Sequence, residues 1–94
     1  MSKRIDKSWT VFVSVENLEH DRCVDFFSRL DGSYGFEEFR RDIEDAGQWT
    51  PVVYFSSAAY ASSADALDTA ARCVAWLPSI LARKPELKGR VGQG

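Results

Sequence analysis

The sequence predicts an α+β domain of order β-α-β-β-α, a ferredoxin-like split β-α-β with both helices on one face of a small antiparallel-type sheet. Three patterns carry that expectation. Residues 9–16 alternate apolar with polar side chains, residues 62–84 show helical periodicity between clear start and stop signals, and residues 36–56 hold two apolar-rich runs joined by a glycine-containing turn.

The first strand rests on Trp9, Val11, Val13 and Val15 alternating with Thr10, Ser14 and Glu16, with Phe12 interrupting the polar face. For residues 17–32 a helix is expected. Asn17 suits an N-cap, Glu19 and Asp21 suit the first turn, and Gly32 suits the stop. Within it Cys23, Phe26, Phe27 and Leu30 recur at i, i+3, i+4 and i+7, and Asp25 and Arg29 form an i,i+4 pair.

Residues 36–44 fit two templates. Phe36, Phe39 and Ile43 are spaced as in a helix, whereas Phe39, Arg41 and Ile43 share one face of a strand. The neighbours decide for the strand: "EDAGQ" at 44–48 is turn chemistry, and "WTPVVYF" at 49–55 is β-branched and aromatic. A hairpin of 36–44 with 49–56 also supplies a third strand, without which the sheet is marginal. Pro51 places its strand at an edge.

The last helix opens at Ser62, followed by Asp65 in the form of a capping box. Its inward stripe is Leu67, Ala70, Ala71, Val74 and Leu77, with a second stripe of Cys73, Trp76 and Ile80. Leu67, Val74 and Leu77 are expected to pack against Val11, Val13, Phe26 and Phe27. Pro78 should restart the helix and Pro85 end it. A single domain is expected, ordered over about residues 8–84, with a basic and mobile tail at 86–94.

The chain has 94 residues, of which 45% are hydrophobic and 13% aromatic, enough to build one core without staples. Cys23 and Cys73 lack the short-spaced partners of a metal site and are expected to be two buried thiols. The apolar run of 9–15 reads as a strand rather than a signal peptide, and no segment reaches the ~18 apolar residues of a membrane span. A bacterial cytoplasm is the expected location. Residues 9–82 contain five arginines, no lysine and twelve carboxylates, a net charge of −7, while both ends are basic. Such a body repels nucleic acid and attracts basic proteins.

Catalytic signatures are missing from the sequence. His20 is the one histidine, so a paired-histidine metal site cannot form, and it reads as a solvated side chain early in the helix. Asp42, Glu44 and Asp45 could gather a divalent cation, but turn-flanking acids beside two arginines are better read as surface. The serines at 56, 57, 62 and 63 lack a nucleophile elbow, and the glycines of "DGSYG" lack phosphate-loop spacing. No cofactor and no catalytic residue is expected. Trp9, Phe12, Phe36, Trp49, Tyr54, Tyr60 and Trp76 exceed what two amphipathic helices need, and aromatic anchors dominate many protein interfaces. The expected contact surface is Glu37, Glu38, Asp42, Glu44 and Asp45 with Trp49 and Tyr54.

Size, acidity, spare aromatics and the lack of catalytic motifs together resemble the small bacterial immunity proteins that neutralise toxin nucleases, including those of contact-dependent inhibition. The resemblance implies a non-enzymatic inhibitor whose partner is a basic toxin domain, with no direct contact to nucleic acid or membrane. A different reading of the same residues is a ferredoxin-like dimer that binds a small ligand, or performs cofactor-free oxidation, in an aromatic-lined pocket with His20 as its polar group.

Overall fold

A computed structural model describes residues 8–41, 47–52 and 55–92. Four antiparallel strands come first: β1 (Thr10–Glu16), β2 (Arg22–Ser28), β3 (Tyr34–Arg41) and β4 (Trp49–Pro51). They pair in sequence order as one meander. A 3₁₀ turn at Phe55–Ser57 leads to α1 (Ser63–Cys73), α2 (Leu77–Arg83) and α3 (Glu86–Gly92). The class is α+β, but every α-helix among the described residues follows the sheet, so the expected β-α-β-β-α order and its ferredoxin-like crossover are not found there.

The difference lies in residues 17–28. Instead of a helix they form a hairpin turn and a strand, with Val15 opposite Val24 and Val13 opposite Phe26. Asn17 caps the turn and not a helix: its Oδ1 accepts from the backbone N–H groups of Asp21 and Arg22, both at 3.1 Å. Asn and Asp side chains serve tight turns and helix starts through the same hydrogen bond, so the signal was ambiguous. β2 carries no strand alternation in its sequence because all five residues from Cys23 to Phe27 are buried. A central strand covered on both faces shows no alternation, and an apolar run of that kind can imitate helical spacing.

The expected hairpin of 36–44 with 49–56 is present in part: its second strand is only Trp49–Pro51, and Phe55 and Ser56 belong to the 3₁₀ turn instead. β3 pairs with β4 through Phe39–Pro51, Arg40–Thr50 and Arg41–Trp49. Gly47 takes a positive φ of 76°, the conformation that glycine adopts without steric cost. Residues 42–46 and Val53 and Tyr54, which complete the expected hairpin, lie outside the described residues.

All three helices lie on one face of the sheet. There Val13, Val15, Val24, Phe26 and Phe36 meet Ala66, Ala70, Val74, Leu77, Ile80, Leu81 and Val91 in one apolar core. Of the expected core pairings, Val74 and Leu77 do meet Val13 and Phe26. Leu67 sits at the margin, while Val11 is exposed and Phe27 points to the opposite face. α1 starts as its sequence predicts, with the Ser62 hydroxyl accepting from the Asp65 N–H at 3.1 Å. α2 restarts at Leu77 with Pro78 in its first turn and stops before Pro85. Two expectations fail here. Cys73 is exposed at the end of α1, and residues 86–92 are helical with Val91 fully buried in the core. Val91, with Leu87 packed at the margin of the same core, docks this short terminal helix.

Candidate functional site

The carboxylates of β3 are part of the scaffold. Glu37 is 2% exposed, and its Oε2 accepts the Phe55 N–H at 2.9 Å, which ties the 3₁₀ turn to the sheet. Glu38 is 9% exposed, and its Oε2 accepts the Trp76 indole N–H at 2.9 Å, which joins the sheet to the α1–α2 junction. A buried carboxylate needs such donors to offset its lost hydration. These two residues therefore do not line an exposed contact surface. Trp49 is half-buried, with the Arg41 guanidinium 5.0 Å from its ring centroid. Asp42, Glu44, Asp45 and Tyr54 lie outside the described residues.

The structure instead exposes acidic residues at the β1–β2 tip. Glu16, Leu18, Glu19, His20 and Asp21 are all exposed there, Leu18 to 58%. The tip is held rather than loose. Besides the two Asn17 bonds described above, Asn17 Nδ2 donates to Asp21 Oδ1 at 2.8 Å. His20 adopts the left-handed conformation, φ 59°, and its ring lies 3.3 Å from the Glu16 carboxylate. From β3, the Arg41 N–H donates to the Asp21 carbonyl at 2.9 Å, and the Arg41 guanidinium donates to the His20 carbonyl. The β1–β2 tip and the start of the β3–β4 turn are thus at the same end of the sheet. The cluster of Asn17, His20 and Asp21, residue types that favour turns, is the sequence signal for this surface.

The sheet face away from the helices carries a second buried group. Asp25 Oδ1 accepts from the Ser14 hydroxyl at 2.6 Å and from the Cys23 thiol at 3.2 Å. Beside it Phe27 stacks on Trp9, with centroids 4.7 Å apart and planes within 5°. The Arg29 guanidinium lies 4.5 Å from the Trp9 ring centroid and 5.0 Å from that of Phe27. It also donates to the carbonyls of Tyr34 and Ala58, both at 3.1 Å. These contacts hold the backbone around β2 and β3 and leave the carboxylate engaged inside the fold.

Among the described residues no group of three or more His, Cys, Asp or Glu side chains is placed to hold a metal ion. A groove of about 320 Å³ lies between the helices and is lined by Ala64, Leu67, Asp68, Ala71, Leu81 and Lys88, without an aromatic side chain. Among the described residues no helix is long and apolar enough to cross a membrane. No family model, curated protein or solved structure matches the chain.

Proposed function

We propose that the protein is a non-enzymatic inhibitor that binds a basic protein partner, a nuclease toxin domain, in the manner of a cytoplasmic bacterial immunity protein. The observation that carries this reading is the β1–β2 tip, where Glu16, Glu19 and Asp21 surround an exposed Leu18 on a turn fixed by Asn17 and Arg41. A nuclease must present positive charge to its phosphate substrate. An acidic, pre-organised surface can occupy that charge, with a leucine as the apolar centre of contact. Exposed ion pairs are each worth at most about 1 kcal/mol. Their principal effect is on association rate and register, and it is screened by salt. Residues 9–82 carry a net −7, and with the basic ends the whole chain keeps a net −2 of the same sign for the long-range part of that field.

The test is binding to the product of the gene immediately upstream, followed by an assay of that product's nuclease activity. The wild-type protein is expected to suppress cleavage. Paired Glu16→Lys and Glu19→Lys substitutions should slow association at least about tenfold at low salt, with little change in thermal midpoint. Absence of binding, or binding indifferent to both salt and charge reversal, overturns the proposal.

A further inference from the structure

The two edges of the sheet are finished differently. The β4 edge is closed. β4 spans only Trp49–Pro51, and beyond it β3 is capped by the Tyr34–Tyr60 bridge and by the 3₁₀ turn held on Glu37. Antiparallel ladders alternate bonded and open pairs, and Val52 N–H donates to the Glu38 carbonyl at 2.9 Å. That phase turns Thr50 toward β3 and points the backbone of Trp49 and Pro51 outward. Pro51 has no N–H to offer a further strand.

Among the described residues no strand pairs with the outer edge of β1. β1 is seven residues long and contains neither proline nor lysine, the residues that commonly protect an edge. Asn17 N–H donates to the Arg22 carbonyl at 3.1 Å. Counting back from that bond, Val15 and Val13 bond to β2, and the N–H and C=O groups of Ser14 and Glu16 face outward. An irregularity between Val11 and Val13 limits the regular run to residues 13–16. Val11, Ser14 and Glu16 are exposed along this edge, and Glu16 begins the acidic tip.

We propose that β1 is a docking strand, on which an extended, basic segment of the protein partner adds as a fifth strand. The inference rests on the partner assigned above and specifies how that partner is held. Main-chain bonds to Ser14 and Glu16 would fix the register, and a lysine or arginine on the incoming strand would pair with Glu16. Charge favours this occupant over a second copy, which would bring a chain of net −2 and a second Glu16 tip of the same sign against the first.

The probe is a labelled peptide of alternating lysine with threonine and valine, compared with the same peptide N-methylated at alternate residues, which cannot form the ladder. The native protein should bind the unmethylated peptide, and methylation should weaken binding at least about tenfold, the loss of one or two backbone bonds. Amide exchange should slow at Ser14 and Glu16 and stay unchanged at Thr50. Glu16→Pro should weaken binding by a further large factor than Glu16→Gln, which removes the charge but keeps the N–H. Equal binding of both peptides overturns strand addition while leaving a basic partner in place. Failure of the unmethylated peptide to bind also overturns it, and the upstream-protein assay then judges the partner by itself. A dimer in sedimentation whose Ser14 and Glu16 amides are already protected assigns the edge to a second copy and overturns it.

Discussion

The two faces of the sheet are held by different physics. Toward the helices, Val24, Phe26 and Phe36 meet aliphatic side chains, and burial of apolar area does the work. On the opposite face Cys23, Asp25, Phe27, Glu37 and Phe39 are equally buried but lie outside that core. There hydrogen bonds to Asp25 and Glu37, and the Arg29–Trp9–Phe27 stack, must keep their geometry. Apolar packing degrades gradually with lost volume. A buried polar layer fails when a single donor or a close approach is disturbed. The helix face should therefore respond to how much is removed, and the other face to what is moved.

The largest expected effect is on the helix face. Phe36 is fully buried, and its ring centroid lies 5.0 Å from Phe55, 5.9 Å from Tyr60 and 6.2 Å from Phe26. Phe36→Ala should cost about 3–5 kcal/mol in urea unfolding, whereas Phe36→Leu should retain most of the stability. If the two variants unfolded alike, burial would not be what holds this face.

A smaller and more specific loss is expected opposite. A Cβ at Gly35 would stand 2.8 Å from the Phe27 ring carbons Cε1 and Cζ. That ring cannot yield easily because Trp9 stacks on it. Gly35→Ala should cost about 1–3 kcal/mol and change the near-UV circular dichroism of Trp9. Gly32→Ala is the control: its φ of 88° disfavours alanine, yet nothing lies within 4 Å of the added methyl. It should destabilise through backbone strain alone and leave the Trp9 signal unchanged.

The smallest effect sharpens the comparison at the β2–β3 turn, next to Arg29. The Ser33 hydroxyl and then the Ser33 N–H, donating to Asp31 at 2.7 and 2.9 Å, hold the Asp31 carboxyl below the ordinary aspartate range, with Arg29 adding a weaker pull. A folded-state value below the unfolded one means that the contribution to stability is present above the unfolded value of about 3.9. It is lost as pH falls through the folded value. In an NMR titration Asp31 should have its midpoint below about 3.9, and Ser33→Ala should move it upward. An unmoved midpoint would show that the hydroxyl is not the main cause.

Much of this protein was legible in local chemistry. The Ser62 cap, the Pro78 restart, the stop before Pro85 and the strand at Val13–Val15 each depend on a residue and its near neighbours, so sequence determines them directly. The pairing of β3 with β4 could be read from Gly47 and the β-branched run after it. Residues whose role depends on what covers them were not legible. Glu37 and Glu38 look like surface charge in sequence, and only the arrival of Phe55 and Trp76 makes them internal acceptors. Leu18, Glu19 and Asp21 became a candidate surface only because residues 17–21 turn instead of winding into a helix. Tertiary structure decided β2 for the same reason. Its residues from Cys23 to Phe27 are covered on both sides, and that cover erases the alternation by which a strand is recognised.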